Sequence, residues 1–544
     1  MRRPAALALV LLAAAAACTK VDTTAGAGGR HPWTTPGVLR IASLNDPDTL
    51  SPLVGTYQID TDLSMFWAGY LFNYSDRNEL VPELATTVPT LANGGIARDG
   101  RTITYHLRKG VTWQDGAPFD ARDVVFTWQA VMNPNNDVGS RVGYDDVTRI
   151  DTPDAYTAVV HLKQPFAPFV GTFFTMAATA YPVYPRHLLA RYHDLNRVAY
   201  NSAPVGTGPF KVLEWHRGQV IRMVANPHYW RGPPKLKEVD YTVIPDDNTM
   251  LTQMQSHAVD FWYLAPATLY RDETNIPGTR AVVTPFTQYS RIGFNLSRPI
   301  MSDVDVRRAL AMATDRRHLI DTVTYGVNVL GEADQPKFLW AYDPNLRPWP
   351  YDPVKANALL DGDGWNRGAD GIRIKNGTRL RIEIANITGS AVGGRMAVLL
   401  QAAWRRIGVD AEIKNYTSSL MLASYGAGGI LQTGKFDVDF SSWINGIDPD
   451  DSTNVMCDQK PPAGQNTYRF CDRTLDAEER IALRSYDQAT RKRAYAKIQE
   501  ILVDRVPFLT VWFLRRIDVV NDDLHGYKPA HAVTTFWNTW EYSI

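Results

Sequence analysis

The chain has 544 residues, 45% of them hydrophobic, and its 57 Lys and Arg are balanced by 57 Asp and Glu. That balance argues against nucleic acid or an anionic membrane surface as the main partner. The length exceeds what one hydrophobic core usually serves, so two or more lobes are expected, and some of the 15 Trp and 25 Tyr are suited to lining a cleft.

Arg2 and Arg3 precede an apolar stretch, Ala5 to Ala17, that is short of the roughly 20 residues needed to cross a bilayer and ends in small residues. This pattern reads as a signal peptide over residues 1–17. Ala15-Ala16-Ala17-Cys18 resembles a bacterial lipobox with Ala15 where Leu is usual, so a lipid on Cys18 is expected to anchor the exported chain to a membrane face. Residues 18–37, rich in Thr, Gly, Ala and Pro, suit a flexible tether. No later segment is apolar for long enough to cross a membrane.

Asp99-Gly100 is a tight-turn signal, and the alternation from Thr102 to Leu107 predicts a strand burying Ile103, Tyr105 and Leu107. Asp115-Gly116 is a second turn, with Trp113 expected to pack beneath it. Asp120 is placed to cap a helix by accepting the amide of Asp123, with Val124, Val125, Trp128 and Met132 on one side and Asn133-Pro134 as the stop. Further on, Gly206, Gly208 and Pro209 read as a chain crossing between lobes, followed by two antiparallel strands. Ser302-Asp303-Val304-Asp305 opens a helix over VRRALAMATDRRHLI, whose Val306, Leu310 and Ala313 share a face.

After Cys18 only Cys457 and Cys471 remain. In an oxidising compartment such a pair most simply forms a disulfide, here around a loop with Pro461, Pro462 and Gly464; two free thiols are the alternative. No His falls at metal spacing with them, and no metal site is expected. HExxH, GxSxG, SxxK beside SDN or KTG, and a phosphate-cradling Gly-rich loop are all missing. Tyr425 to Gly429 reads as a surface turn. Asp448, Asp450 and Asp451 lack the Gly and Glu positions of a calcium loop, as does Asp361-Gly362-Asp363-Gly364.

The run from Leu80 to Phe126 (LVPELATTVPTLANGGIARDGRTITYHLRKGVTWQDGAPFDARDVVF), together with GTGPF at 206–210, RIGFN at 291–295, YDPVKANALLDGDGW at 351–365 and QEILVDRVPFL at 499–509, resembles the peptide/nickel class of extracytoplasmic solute-binding proteins, the family 5 receptors of ABC importers. The resemblance implies an α/β, bilobal, periplasmic-binding-protein-like fold (type II, cluster C) with an extra third domain. Lobe I would use 38–80, 205–295 and 510–544, the extra domain 81–204 and lobe II 296–509. It implies a binding protein without catalytic residues or cofactor. As a monomer it would deliver a small solute, most simply a di- or oligopeptide, to permease subunits served by a separate ATPase. An oligosaccharide, opine or metal chelate is the alternative solute, and a secreted hydrolase or ligand sensor the alternative role.

In peptide-binding members of the family, Gly-Trp-x-x-Asp-x-x-Asp-Pro supplies an aromatic wall and an Asp that pairs with the peptide's α-ammonium. The matching stretch here, Ser442 to Pro449 (SWINGIDP), is one residue shorter. Trp443 and the Asp-Pro match, and counting back from Asp448 puts Asn445 in the place of the amine-binding Asp. A neutral amide accepts a hydrogen bond from an ammonium without neutralising it, so weaker recognition of free-amine peptides is expected. Asn445 as a turn cap beside Gly446, and Asp448 as a turn residue or as a charge restored by a register shift, stay open. The resemblance also suggests ligand contacts from Tyr289 and Arg291, from Thr56 and Tyr57 after the TLSPL segment, and from Tyr468 in NTYRF. For Arg291 the choice lies between a solute carboxylate and a surface or inter-lobe salt bridge, and for Thr56 and Tyr57 between the cleft and a solvated loop.

Overall fold

The computed structural model describes residues 29–55, 57–177, 181–531 and 534–544. The expected signal peptide, Cys18 and Thr56 lie outside these residues. No helix among the described residues is long and apolar enough to cross a membrane.

Two long strands, Thr279–Phe294 and Phe508–Asn521, organise the molecule. They run antiparallel, from Thr279 opposite Asn521 to Gly293 opposite Phe508, with the register broken between Pro285 and Tyr289. At one end, Phe508–Asn521 pairs with Phe261–Trp262, which leads to Val38–Ser43, Glu238–Val243 and the hairpin of Phe210–His216 with Val220–Ala225. At the other end, Thr279–Phe294 pairs with Val438–Ile444, followed by the parallel strands Arg381–Ile387 and Asp410–Tyr416. Among the described residues, one eleven-stranded sheet thus spans the two largest of four hydrophobic cores. The first gathers around Leu39, Phe66, Phe210 and Tyr241, the second around Phe294, Leu310, Ile384 and Trp404, all buried. Two strands shared by both halves form the kind of connection about which packed bodies hinge.

A separate three-stranded antiparallel sheet, Thr102–His106, Thr157–Leu162 and Val147–Asp154, carries the helix Ala121–Met132. Ile103, Tyr105 and Leu107 are buried as the alternation requires, and Gly100 and Gly116 adopt φ values of 68° and 94° in their turns. Trp113 packs edge-on against Phe119, its indole N–H donating to Asp123. Asp120 caps the helix as expected, its side chain accepting from the amides of Asp123 and Arg122, while the Asp123 side chain accepts the Asp120 amide in return. The buried face also differs from expectation. Val124, Thr127, Ala130 and Val131 point inward and Val125, Trp128 and Met132 are half-buried, because the helix also packs on the 181–186 segment, where Thr127 accepts the amide of Tyr184.

Gly206 and Gly208 pass so close to the backbone of Trp67 that a Cβ on Gly206 would lie 1.8 Å from its carbonyl oxygen. The expected long helix after Ser302 is two: Val304–Met312 capped by Asp303, and Arg316–Val323 capped by Asp315.

The three-stranded body also touches the second half at the end of the helix Arg473–Arg484 and at the turn that leads into the helix Gln488–Arg505. The Tyr486 hydroxyl donates to the carbonyls of Gly100 (3.0 Å) and Phe166 (3.2 Å), the Ala167 amide donates to the Leu483 carbonyl (2.6 Å), and Arg484 donates to Gln164.

Candidate functional site

Beyond its pairing with Thr279–Phe294, the strand Val438–Ile444 leads into the segment that holds the Asp-Pro motif. A cavity of about 150 Å³ opens where this segment faces the three-stranded body. One wall is Trp443, Gly446, Ile447, Asp448 and Asp450; the other includes Ser140, Tyr144, Gly171 and Thr172. A second cavity of about 200 Å³, largely apolar, lies against the long strands, between Pro285, Phe286 and Phe513 on one side and Gln335 and Phe338 on the other. The first joins an aromatic face, hydroxyls and carboxylates, the mixture by which a cleft orients a polar solute.

Four of the residues expected at the site come together behind the first cavity. The Arg291 guanidinium, 4% exposed, sits 4.8 Å from the Tyr468 ring, 5.6 Å from Tyr289 and 5.9 Å from Trp443, with Phe508 completing the cage. It donates to the Tyr289 hydroxyl, Ser441 Oγ and Asn454 Oδ1. Gly293 makes room for this cluster, since a Cβ there would lie 2.0 Å from the Tyr468 ring. Such a cage satisfies the cation through ring faces and hydrogen bonds. Arg291, Tyr289 and Tyr468 line neither of these two cavities, and the charge of Arg291 lies among the buried carboxylates of Asp439 and Asp451 as well as the rings. Burial pushes the nearby Asp439 carboxyl up to about 6, the charge of Arg291 offsetting only part of that cost.

Asn445 is 1% exposed, and its side-chain amide nitrogen donates to the Asp334 carbonyl at 2.8 Å while its backbone carbonyl accepts from the Thr287 hydroxyl. It therefore does not present its amide to the cavity, and the reason is the irregular stretch between Pro285 and Tyr289, against which it folds inward. Asp448 lines the cavity, but Arg491 holds both its oxygens, at 2.6 and 2.8 Å. Tyr57, 58% exposed, precedes the helix Gln58–Trp67 and lines neither cavity. Cys457 and Cys471 are bridged. The pair closes a loop that holds Tyr468 against Phe508.

Beneath the segment lie Asp334, Asp451 and Glu479, each at most 1% exposed. Burial pushes all three carboxyls up, and the closeness of the groups to one another adds to the effect for Asp451 and Glu479, as like charges in one site require. Local sequence offered no sign of this grouping, because the three residues come from loops and a helix far apart in the chain. Asp450 was visible in the run Asp448, Asp450, Asp451, but only the fold separates the three: Asp448 paired, Asp451 buried, Asp450 on the cavity wall.

The family model for bacterial extracellular solute-binding proteins, family 5 (Middle), matches residues 79–464. "Protein XP55" of Streptomyces lividans is 30% identical over 513 residues, covering 92% of this chain and 87% of that protein. The oligopeptide-binding protein AppA of Bacillus subtilis (strain 168) is 25% identical over 498 residues, covering 90% and 89%. The crystal structure of the ABC transporter substrate-binding protein CtaP of Listeria monocytogenes shares the fold with a TM-score of 0.81 at 21% identity, covering 94% of this chain and 99% of that one.

Proposed function

The chain belongs to the family 5 bacterial extracellular solute-binding proteins, a family of transport receptors, and from that premise we propose that it captures peptides for an ABC importer. The observation that carries the reading is the cavity between the Trp443–Asp450 segment and the three-stranded body, on a sheet whose halves are joined by two long strands. A solute held by both walls favours the form in which they are close, because a ligand shifts such an equilibrium by its differential affinity for the two forms. That form would dock on a permease driven by its own ATPase. The similarity to an oligopeptide-binding protein along nine-tenths of both chains supports a peptide solute.

We read the chain as lobe I (38–80, 205–295, 510–544), an extra domain (81–204) and lobe II (296–509), a division that the two sheet halves and the separate sheet support. The N-terminal features read from the sequence support export, with the mature chain tethered through lipid on Cys18. Native mass spectrometry of the chain lacking residues 1–18, purified gently, tests the reading. A heterogeneous set of peptide masses is expected. A single non-peptide mass, a sugar ladder or a metal chelate overturns the peptide assignment and leaves the receptor role standing.

A further inference from the structure

We infer that the apolar cavity against the two long strands is a second binding site, for a small carboxylic acid with an aromatic tail: the ring enters the cavity and the carboxylate meets Arg515 at its mouth. The site shares no lining residue with the cavity beside Trp443 and does not rest on the peptide reading.

Size and lining set the tail. The cavity measures about 200 Å³. An apolar cavity of roughly 150 Å³ already binds benzene, so there is room here for one ring and a short linker. Phe286, Phe338 and Phe513 form its walls together with Pro285, Val329 and Leu330. Three aromatic walls favour an aromatic guest, whose edge packs against their faces.

Charge sets the head group. Glu332 lines the cavity, but it accepts from the Tyr342 hydroxyl and from Lys337 at 2.8 Å, so it and Lys337 answer one another. Gln335 spends its amide on Asp334 and on the Pro449 carbonyl. Arg515 remains. Its side chain is exposed, its backbone amide is held by Asn328, and no acid pairs with its guanidinium among the described residues. The charge of Arg316 also acts on Glu332, so positive charge outweighs negative around this cavity. A guanidinium without a partner beside an apolar pocket takes a planar carboxylate through two parallel hydrogen bonds.

The position gives such a guest a consequence. Phe286 lies in the stretch where the register of the two long strands breaks, and Phe513 pairs with Tyr289 at its far end. Phe338 comes from the second half, yet it packs on the core of the first and against the His531 ring. A molecule seated here touches both strands that join the halves and a loop that reaches from one half to the other. Its binding is therefore coupled to the hinge, and reciprocally to solute capture.

The experiment is isothermal titration with phenylacetate, phenylacetamide and acetate. Wild-type protein is expected to bind phenylacetate about tenfold tighter than either of the others. Arg515→Gln, a change at an exposed side chain, should lower phenylacetate to the level of the amide. Val329→Phe, which fills the cavity, should abolish binding of both without lowering the melting temperature. Wild-type protein that takes up no phenylacetate at about 1 mM overturns the assignment, as does a preference for acid over amide that survives Arg515→Gln. A pentapeptide pool titrated at rising phenylacetate separates the two sites. Its affinity should shift and then level off; a decline without limit makes the cavity part of the peptide cleft and overturns the second site. A pool that does not bind at all overturns the peptide reading and leaves the phenylacetate titrations to decide this one.

Discussion

Arg491 grips Asp448 with both terminal nitrogens, and the two side chains are only 9% and 15% exposed. The pair turns an aspartate that belongs by motif to a binding site into part of its scaffold. Removing one partner leaves the other charge enclosed and unmatched. Arg491→Met should therefore destabilise the protein by about 3–5 kcal/mol. The double variant Arg491→Met/Asp448→Asn should recover most of that loss, as read from urea unfolding midpoints.

Asn445→Asp has a different expected outcome from the one its place in the motif suggests. The substitution removes the donor to the Asp334 carbonyl and adds a carboxylate among groups that are already acidic and buried. A loss of about 1–3 kcal/mol in stability is expected, with no gain in affinity for free-amine over N-acetylated peptides. Thermal melts and titrations with the two kinds of peptide together check it; a selective gain for free amines would place Asn445 in the cleft after all.

The Cys457–Cys471 bridge closes a loop with a sequence separation of 14 residues. Restricting the unfolded chain over such a loop is worth about 3 kcal/mol. The Cys457→Ser/Cys471→Ser variant should unfold at correspondingly lower urea concentration, and reductant should then have no further effect on it.

Glu83 is 4% exposed and accepts from the Tyr70 amide and the Asn73 side chain, yet burial pushes its carboxyl up to about 7, with Arg231 offsetting part of the shift. A carboxyl whose folded pKa lies above its unfolded value binds its proton more tightly in the folded state. Its contribution is thus fully present below the unfolded pKa, near pH 4.5, and is lost as pH rises toward 7. Between those limits wild-type melting temperature should fall relative to Glu83→Gln, and the gap should be constant above about pH 8. Parallel profiles would remove Glu83 as the titrating group.

Local devices were legible in the sequence because they are made within a few residues: the Asp99-Gly100 and Asp115-Gly116 turns, the Asp120 cap, the strand that buries Ile103 and Tyr105. The family, and with it the bilobal fold, was legible in blocks spread along the chain. The site was harder to read. Where Asn445 faces depends on Asp334, 111 residues away, and the cage around Arg291 is assembled from Ser441, Asn454, Tyr468 and Phe508, none of them adjacent in sequence. Register along two long strands decides such matters, and a missing residue in the motif shifts it. Asp448 and Asp450 look alike in the sequence; which of them Arg491 grips is a property of the fold alone.

The seam formed by Tyr486 and Leu483 against Gly100, Phe166 and Ala167 is made largely of main-chain groups: the Tyr486 hydroxyl meets two backbone carbonyls, and the Ala167 amide meets a third. Side chains at most of these positions can therefore change without breaking it, whereas loss of the Tyr486 hydroxyl removes two bonds at once. Gly100 is the exception, since a Cβ there would lie 2.8 Å from the Tyr486 ring. One glycine thus answers both to the turn that shapes its own sheet and to the contact that joins the sheet to a distant helix pair.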